Sequence, residues 1–401
     1  MIEKLRKLAR TNKQAELVIY GGYLANEKFN QLLFLFMRAL PIQPNKIVFC
    51  AMQGDRYGDN PYYISEALRS RQDLEIVWLL DPEAEAEGFP EEFRRVDARN
   101  PVLAARELAT AKVWVDCAMK RTGFLKRRGQ LYIQTWHGSY GIKKIGMDVG
   151  ERTTRIERRT IRYNAKYEDV LLSNSRRTTE IYRRAFLFDK RVIEKGSPRN
   201  DMLLEDPEKY REKVDAHFRL RGARVILYAP TFRNDYGTDA LRLDFERLIR
   251  SLEEATGEKW AALVRLHYLN LKAAEGFIRY SDRILNASAY DDMQELLAAS
   301  DILVTDYSSC MFDFATTRKP CFLYAADLEK YDSERGNYFR IEELPFPLAR
   351  TQEELEENIR HFDEAGYQSG LDRLFAEVGL RETGHAGRTA ARYILRWMER
   401  H

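Results

Sequence analysis

The sequence predicts an α/β chain of two Rossmann-like, doubly wound domains facing a cleft. Three observations carry that expectation. The chain has 401 residues, whereas typical domains hold roughly 100–200. Short β-rich apolar runs alternate with helical patterns, which is the rhythm of parallel sheets built from βα units. That rhythm occurs twice, with a polar, charged stretch between the two sets.

Strands are expected at residues 46–52, 75–81, 112–117, 130–136 and 169–175 in the first half. The second half repeats the pattern at 225–231, 260–267, 283–286, 301–305 and 320–325. The charged stretch 204–221 separates the sets, so the expected domains are residues 1–205 and 206–401. No repeat is visible at the level of the sequence itself.

Hydrophobic residues make up 44% and charged residues 32%, a globular composition with enough apolar material for two cores. No run approaches the ~18–20 apolar residues that span a bilayer, and no signal-peptide pattern opens the chain. The four cysteines, Cys50, Cys117, Cys310 and Cys321, lack C-x-x-C spacing and fall in apolar stretches. They read as small buried hydrophobes of a reducing compartment. Net charge is +3, but between Ala118 and Lys166 there are 13 Lys/Arg against 3 Asp/Glu. Such a segment is suited to an anionic partner: a nucleic acid, a nucleotide or lipid headgroups.

In open α/β sheets the ligand lies beyond the carboxyl ends of the strands, so the residues after each strand are the place to look for chemistry. Trp136, His137, Gly138 and Ser139 follow one strand, and an imidazole there has a pKa suited to a general base. Thr305, Asp306, Tyr307, Ser308 and Ser309 follow another and precede a helix, whose N-terminus favours an anion such as a diphosphate. Ordinary helix capping by Ser or Asp is the competing reading. Thr231 and Arg233 follow a third strand, Arg265 and His267 a fourth, and Arg199 lies in a turn near the expected boundary. These cations suit phosphate. His217, His361, His385 and His401 read as surface residues, and no metal-ligand constellation is evident.

A basic stripe, Arg152, Arg155, Arg159, Arg162 and Lys166, recurs at helical spacing. It suits a helix lying on an anionic leaflet, with Arg155, Arg159 and Arg162 in contact, although a solvated face has the same pattern. A second stripe, Phe29, Leu32, Leu33, Phe36, Met37 and Leu40, fits either membrane contact or packing on the first sheet.

Taken together, the motifs resemble the CDP-glycerol glycerophosphotransferase family of teichoic acid primases and polymerases. The resemblance runs through Gly58-Asp59-Asn60-Pro61, Gln134-Thr135-Trp136-His137-Gly138 and Gly196-Ser197-Pro198-Arg199-Asn200-Asp201. It continues through Leu227-Tyr228-Ala229-Pro230-Thr231 and Thr305-Asp306-Tyr307-Ser308-Ser309 to Glu334-Arg335-Gly336. It implies a GT-B-like fold, peripheral attachment at the cytoplasmic face of the membrane and transfer of a polyol phosphate from a CDP donor. His137 matches the family's base and His267 its second important histidine. Arg199, Thr231, Arg233, Arg265, Asp306, Ser308 and Ser309 are the expected substrate-binding residues. The implied partners are CDP-glycerol, a lipid-linked saccharide acceptor and an anionic inner-leaflet surface, with no cofactor. Tyr268, Ser139-Tyr140 and Ser197 depart from the family pattern, and they bear on acceptor and polyol choice. The compact length favours a priming enzyme over a glycerol or ribitol phosphate polymerase. Two other classes compete: a nucleotide-sugar glycosyltransferase, which could share the fold, and a non-catalytic nucleic-acid-binding protein. The latter lacks the interleaved aromatic and basic residues of a stacking platform, so nucleic acid is not expected as a partner.

Overall fold

The computed structural model describes residues 13–84, 86, 88–231, 243–266, 277–328 and 336–401. The chain forms two compact units. The first takes the chain up to His137, then Ile145–Arg199 and His385–His401, and the second takes Gly138–Lys144 and Asn200–Gly384. This division differs from the expected 1–205 and 206–401 at three places. The boundary lies at Asn200, the short segment after His137 joins the second unit, and the last helix returns to the first.

The first unit holds seven parallel strands: β1 (Lys46–Cys50), β2 (Glu75–Leu80), β3 (Arg94–Asp97), β4 (Val113–Asp116), β5 (Leu131–Gln134), β6 (Val170–Ser173) and β7 (Arg191–Glu194). Their spatial order is β3-β2-β1-β4-β5-β6-β7. In the second unit, β8 (Arg224–Tyr228), β9 (Trp260–Val264), β10 (Ile284–Asn286), β11 (Ile302–Thr305), β12 (Cys321–Tyr324) and β13 (Leu348–Ala349) are ordered β10-β9-β8-β11-β12-β13. Both are the Rossmann order, reversing direction after the first strand of the unit. The repeat missing from the sequence is therefore present in the topology.

Alternation along the strands explains the two-sided burial. Ile47, Phe49, Trp78, Val113, Val115 and Ile133 form one core on the first sheet. Val48, Val77, Leu79, Trp114 and Tyr132 form another on its opposite face. Phe34 of helix Lys13–Met37 joins the second of these cores. Ala390, Ala391 and Ile394 of helix Ala386–Arg400 seal the first. A parallel sheet needs both covers, and a helix rich in arginine supplies one by presenting a narrow apolar stripe. In the second unit Tyr228, Leu248, Trp260, Val264, Val304 and Phe322 belong to one core.

All ten expected strands are present, each shorter than read. The sequence missed β3, β7 and β13. Each is an edge strand, and β3 (Arg-Arg-Val-Asp) and β7 (Arg-Val-Ile-Glu) carry charges. An edge strand gains by being short and charged, which discourages pairing with another chain, and this erases the apolar run by which a strand is read.

The last helix should stabilise the first unit. Ile394→Ala removes a fully buried side chain and should cost about 2–5 kcal/mol. Hydrogen exchange should then accelerate at β1 and β4 amides and stay unchanged at β8 and β11. Acceleration confined to the second sheet would contradict the placement of this helix.

Candidate active site

His137 lies three residues beyond β5. The chain leaves the ladder at Thr135, and Trp136 adopts φ 55°, a left-handed conformation costing a non-glycine residue roughly 1–2 kcal/mol. Specific bonds hold it there. The Trp136 N–H donates to Gln134 Oε1 at 2.9 Å. Its carbonyl accepts from Asn60 Nδ2 at 2.8 Å and from Thr135 Oγ1 at 2.9 Å. Arg199 Nη1 donates to the carbonyl of His137 at 2.7 Å. At roughly 0.5–1.5 kcal/mol for each neutral bond, and more for the charged one, these outweigh the strain.

The imidazole stacks on Trp136, with ring centroids 4.2 Å apart, and Trp136 packs in turn on Phe186. His137 Nδ1 lies 2.6 Å from the carbonyl oxygen of Cys117, the residue after β4. A carbonyl can only accept, so Nδ1 carries the proton and Nε2 keeps its lone pair. Burial lowers the pKa below the ordinary histidine value, opposed by the Cys117 hydrogen bond and by the charge of Asp59. At neutral pH this is a neutral imidazole with a basic nitrogen to offer.

Arg199 does not stand open to a ligand as expected. It is almost fully buried and pairs with Asp59 Oδ2 at 3.3 Å while holding the His137 carbonyl. In the sequence, Asp59 and Asn60 stand out only as part of a family motif. Their one sequence signal is the Asp-Asn-Pro start of helix Asp59–Glu66.

In the second unit, chemistry gathers where β8 and β11 adjoin and the strand order reverses. Thr305 Oγ1 donates to the Ala229 carbonyl at 2.7 Å. Asp306 Oδ1 accepts from the backbone N–H of Thr231 at 2.8 Å and of Tyr307 at 2.6 Å. Asp306 therefore straps two strand-end loops together, a different task from the expected contact with an anionic substrate. Ser308 and Ser309 are partly exposed and precede helix Cys310–Ala315. Ser309 makes no side-chain cap bond, and Ser308 Oγ accepts only a long bond of 3.4 Å from the Cys310 N–H. Strong capping does not consume these hydroxyls. Beneath them Asp313 accepts from Asn200 Nδ2 at 3.0 Å and from Gln294 Nε2 at 3.2 Å, a buried polar network that fixes the short helix. Arg265 directs its guanidinium at the carbonyls of Tyr290 and Asp291, where it braces a loop. Arg233 and His267 lie outside the described residues.

The basic stripe divides. Arg159 forms a two-pronged pair with Glu27, at 2.6 and 2.7 Å. This bond holds the Glu27 carboxyl below its usual range against the opposing effect of burial. Tyr23 and Thr160 share a hydrogen bond of 2.8 Å beside it. Arg159 thus faces helix Lys13–Met37, correcting its expected place on a lipid surface. Arg155 lies 3.6 Å from Glu16 and is largely exposed, as is Arg162. The apolar stripe divides too: Leu33 and Met37 pack inward, whereas Phe29, Leu32, Phe36 and Leu40 are exposed. The four remaining described histidines are exposed and the four cysteines are buried, as read.

Comparison with known proteins agrees with the fold. The profile of the family described as CDP-Glycerol:Poly(glycerophosphate) glycerophosphotransferase matches residues 32–378. A teichoic acid poly(glycerol phosphate) polymerase of Bacillus subtilis (strain 168) is 32% identical over 354 residues, 84% of this chain but 46% of its own length. This chain thus spans about half of that relative. A protein of the same name from Bacillus spizizenii (strain ATCC 23059 / NRRL B-14472 / W23) is 30% identical over 91% of this chain and 95% of its own. Among solved structures, a variant of the wall teichoic acid polymerase TagF superposes with a TM-score of 0.82 at 28% identity, covering 98% of this chain and 97% of that one. A TagF structure soaked with CDPG gives 0.79.

The state of His137 can be measured directly. Its NMR signals should titrate with a midpoint below 6.5 and report a protonated Nδ1 above it. Since the unfolded chain binds its proton first, the stability contributed here is complete above pH 6.5. It is lost as the pH falls through the lowered midpoint. A midpoint at or above 6.5 would contradict a neutral imidazole desolvated by its surroundings.

Proposed function

The chain belongs to the CDP-glycerol:poly(glycerophosphate) glycerophosphotransferase family, and from that premise we propose that it transfers glycerol phosphate from CDP-glycerol to a hydroxyl of a lipid-linked acceptor in teichoic acid synthesis, releasing CMP. The observation that carries this reading is the tautomer of His137. With Nδ1 committed to the Cys117 carbonyl, Nε2 is the atom that takes a proton.

In the proposed reaction the acceptor oxygen attacks the β-phosphorus in line. The bond from that phosphorus to the bridging oxygen breaks, CMP leaves, and the hydroxyl proton passes to Nε2 of His137. Phosphoryl transfer needs positioning and charge stabilisation more than covalent help. Ser308 and Ser309 would supply hydroxyls and backbone N–H groups to the diphosphate. Asp306 and the Asp313 network would keep that loop in place.

The acceptor places the work at a bilayer surface. Among the described residues no helix is long and apolar enough to cross a membrane. The support for peripheral contact is the outer face of helix Lys13–Met37. Val18 and Phe36 are each 76% exposed, with Phe29 and Leu32 between them, while the inner face carries Tyr23 and Glu27. An amphipathic helix with its apolar side outward is suited to the headgroup–acyl boundary. Burying a Phe or Leu side chain is worth roughly 1.5–3 kcal/mol, against about 1 kcal/mol for a basic residue near an anionic leaflet. In this reading the apolar face dominates, and Arg155 and Arg162 contribute the salt-sensitive part.

Four measurements test the proposal. His137→Ala should lower turnover of labelled CDP-glycerol by roughly 10²–10⁴-fold with donor affinity nearly unchanged, and Ser308→Ala/Ser309→Ala should weaken donor binding in calorimetry. Turnover near wild type in a folded His137→Ala protein removes it as base. With a lipid-linked disaccharide acceptor, one added unit marks priming and a ladder marks extension. The priming expectation rested on length, and the polymerase matched over 95% of its own length takes that support away. On membrane contact, Leu32→Glu/Phe36→Glu should abolish flotation with anionic vesicles, whereas Arg155→Glu/Arg162→Glu should only reduce it. Undiminished flotation of the first variant would rule out this face.

A further inference from the structure

The transfer reading leaves Asn60 without a task, yet the local geometry converges on it. Asn60 is 2% exposed and uses both ends of its amide. Nδ2 donates to the Trp136 carbonyl at 2.8 Å, and Oδ1 accepts from the Arg199 N–H at 3.0 Å. Arg199 then reaches with Nη1 to the carbonyl of His137 at 2.7 Å and lies 3.3 Å from Asp59 Oδ2. Two consecutive carbonyls, those of Trp136 and His137, are thus held by two groups that Asn60 itself joins.

The other bonds to Trp136 are local to its own strand end. Gln134 and Thr135 are its immediate predecessors, so their bonds tie the turn to the end of β5 and not to Arg199. Asn60 comes from the first turn of helix Asp59–Glu66, 76 residues earlier. We propose that Asn60, acting through Arg199 and the Trp136 carbonyl, is a positioning residue that fixes the left-handed turn at Trp136 and thereby keeps Nδ1 of His137 on the Cys117 carbonyl and Nε2 toward the reacting hydroxyl. This rests on the reading of His137 as the base. The amide is the group the position requires. A carboxylate would set an oxygen against the Trp136 carbonyl, and alanine would leave that carbonyl its local Thr135 bond alone and take the Asn60 acceptor from the Arg199 N–H. The charged or titratable groups around His137, namely Asp59, Arg199, Arg56 and the Cys117 thiol, are retained in Asn60→Ala.

The experiment uses the full chain labelled with ¹⁵N-histidine, the His137 signals being those lost in His137→Gln. Wild type should show one tautomer, protonated at Nδ1. Asn60→Ala should show a mixture of both tautomers, with kcat for CDP-glycerol reduced roughly 10- to 100-fold, the scale of a misplacement of about 1 Å, and with KM within about two-fold. Arg199→Lys, which keeps the charge but loses the fork, should move both readouts the same way, and it carries the test if Asn60→Ala does not fold. A single unchanged tautomer in the folded variants overturns the proposal, whether or not kcat falls. Mixed tautomers with unchanged kcat would support positioning by Asn60 and instead overturn the role of His137 as base.

Discussion

A parallel sheet covered on both faces leaves few places where polar chemistry can sit, and most of this molecule follows from that constraint. The strands must be apolar on each side, as Ile47 and Phe49 on one face and Val48 on the other show. Crossover helices occupy both faces. Only the ends of the strands escape, and only where the order reverses do two adjacent ends part to leave room. In the second unit that place is between β8 and β11, and Asp306 bonds across it to the Thr231 N–H. In the first unit the residue after β4, Cys117, meets the imidazole that follows β5. The topology recurs, but the first unit's pair stands one strand beyond that unit's own reversal, which lies between β1 and β4.

The same constraint decides what could be read from the sequence. Interior strands were legible because burial on two faces demands a continuous apolar run. The charged edges β3 and β7 obey the opposite demand, so no run marks them. Strand ends were read too long because Trp136 and Thr231 look like strand residues, and only the bonds that turn the chain tell otherwise. His137, Ser308 and Ser309 were legible as strand-end residues followed by glycine or a helix. Asn60 was not, since its meaning lies in partners 76 and 139 positions away.

Periodicity misled in one instructive case. Five basic residues at helical spacing describe a stripe, but spacing says nothing about what the stripe faces. Arg159 meets Glu27, 132 residues earlier, and Glu27 is buried. A buried carboxylate without its arginine would be strongly disfavoured, so this pair fixes helix Arg155–Tyr167 against helix Lys13–Met37. Gly123 allows a further close approach to the same helix: at φ 113° an added Cβ would fall 2.5 Å from Asn30. Beside Phe34 and these polar contacts on the inner side, the apolar side chains of Val18, Phe29, Leu32 and Phe36 remain outside. That outer face inverts the usual rule for a surface helix.

The inverted helix and the strained turn have a common logic. At each, a local preference is overruled by a few well-placed polar bonds: Glu27 with Arg159 and Tyr23 with Thr160 in one case, Asn60 and Arg199 in the other. An exposed phenylalanine forgoes roughly 1.5–3 kcal/mol of burial, and a left-handed tryptophan costs roughly 1–2 kcal/mol. Neither arrangement would persist through propensity alone. The polar bonds hold Phe36 outward and Nε2 of His137 unprotonated, and those are the groups to which the proposed function assigns a task. Sites that violate local rules and are secured from elsewhere in the chain are where function is expected to concentrate.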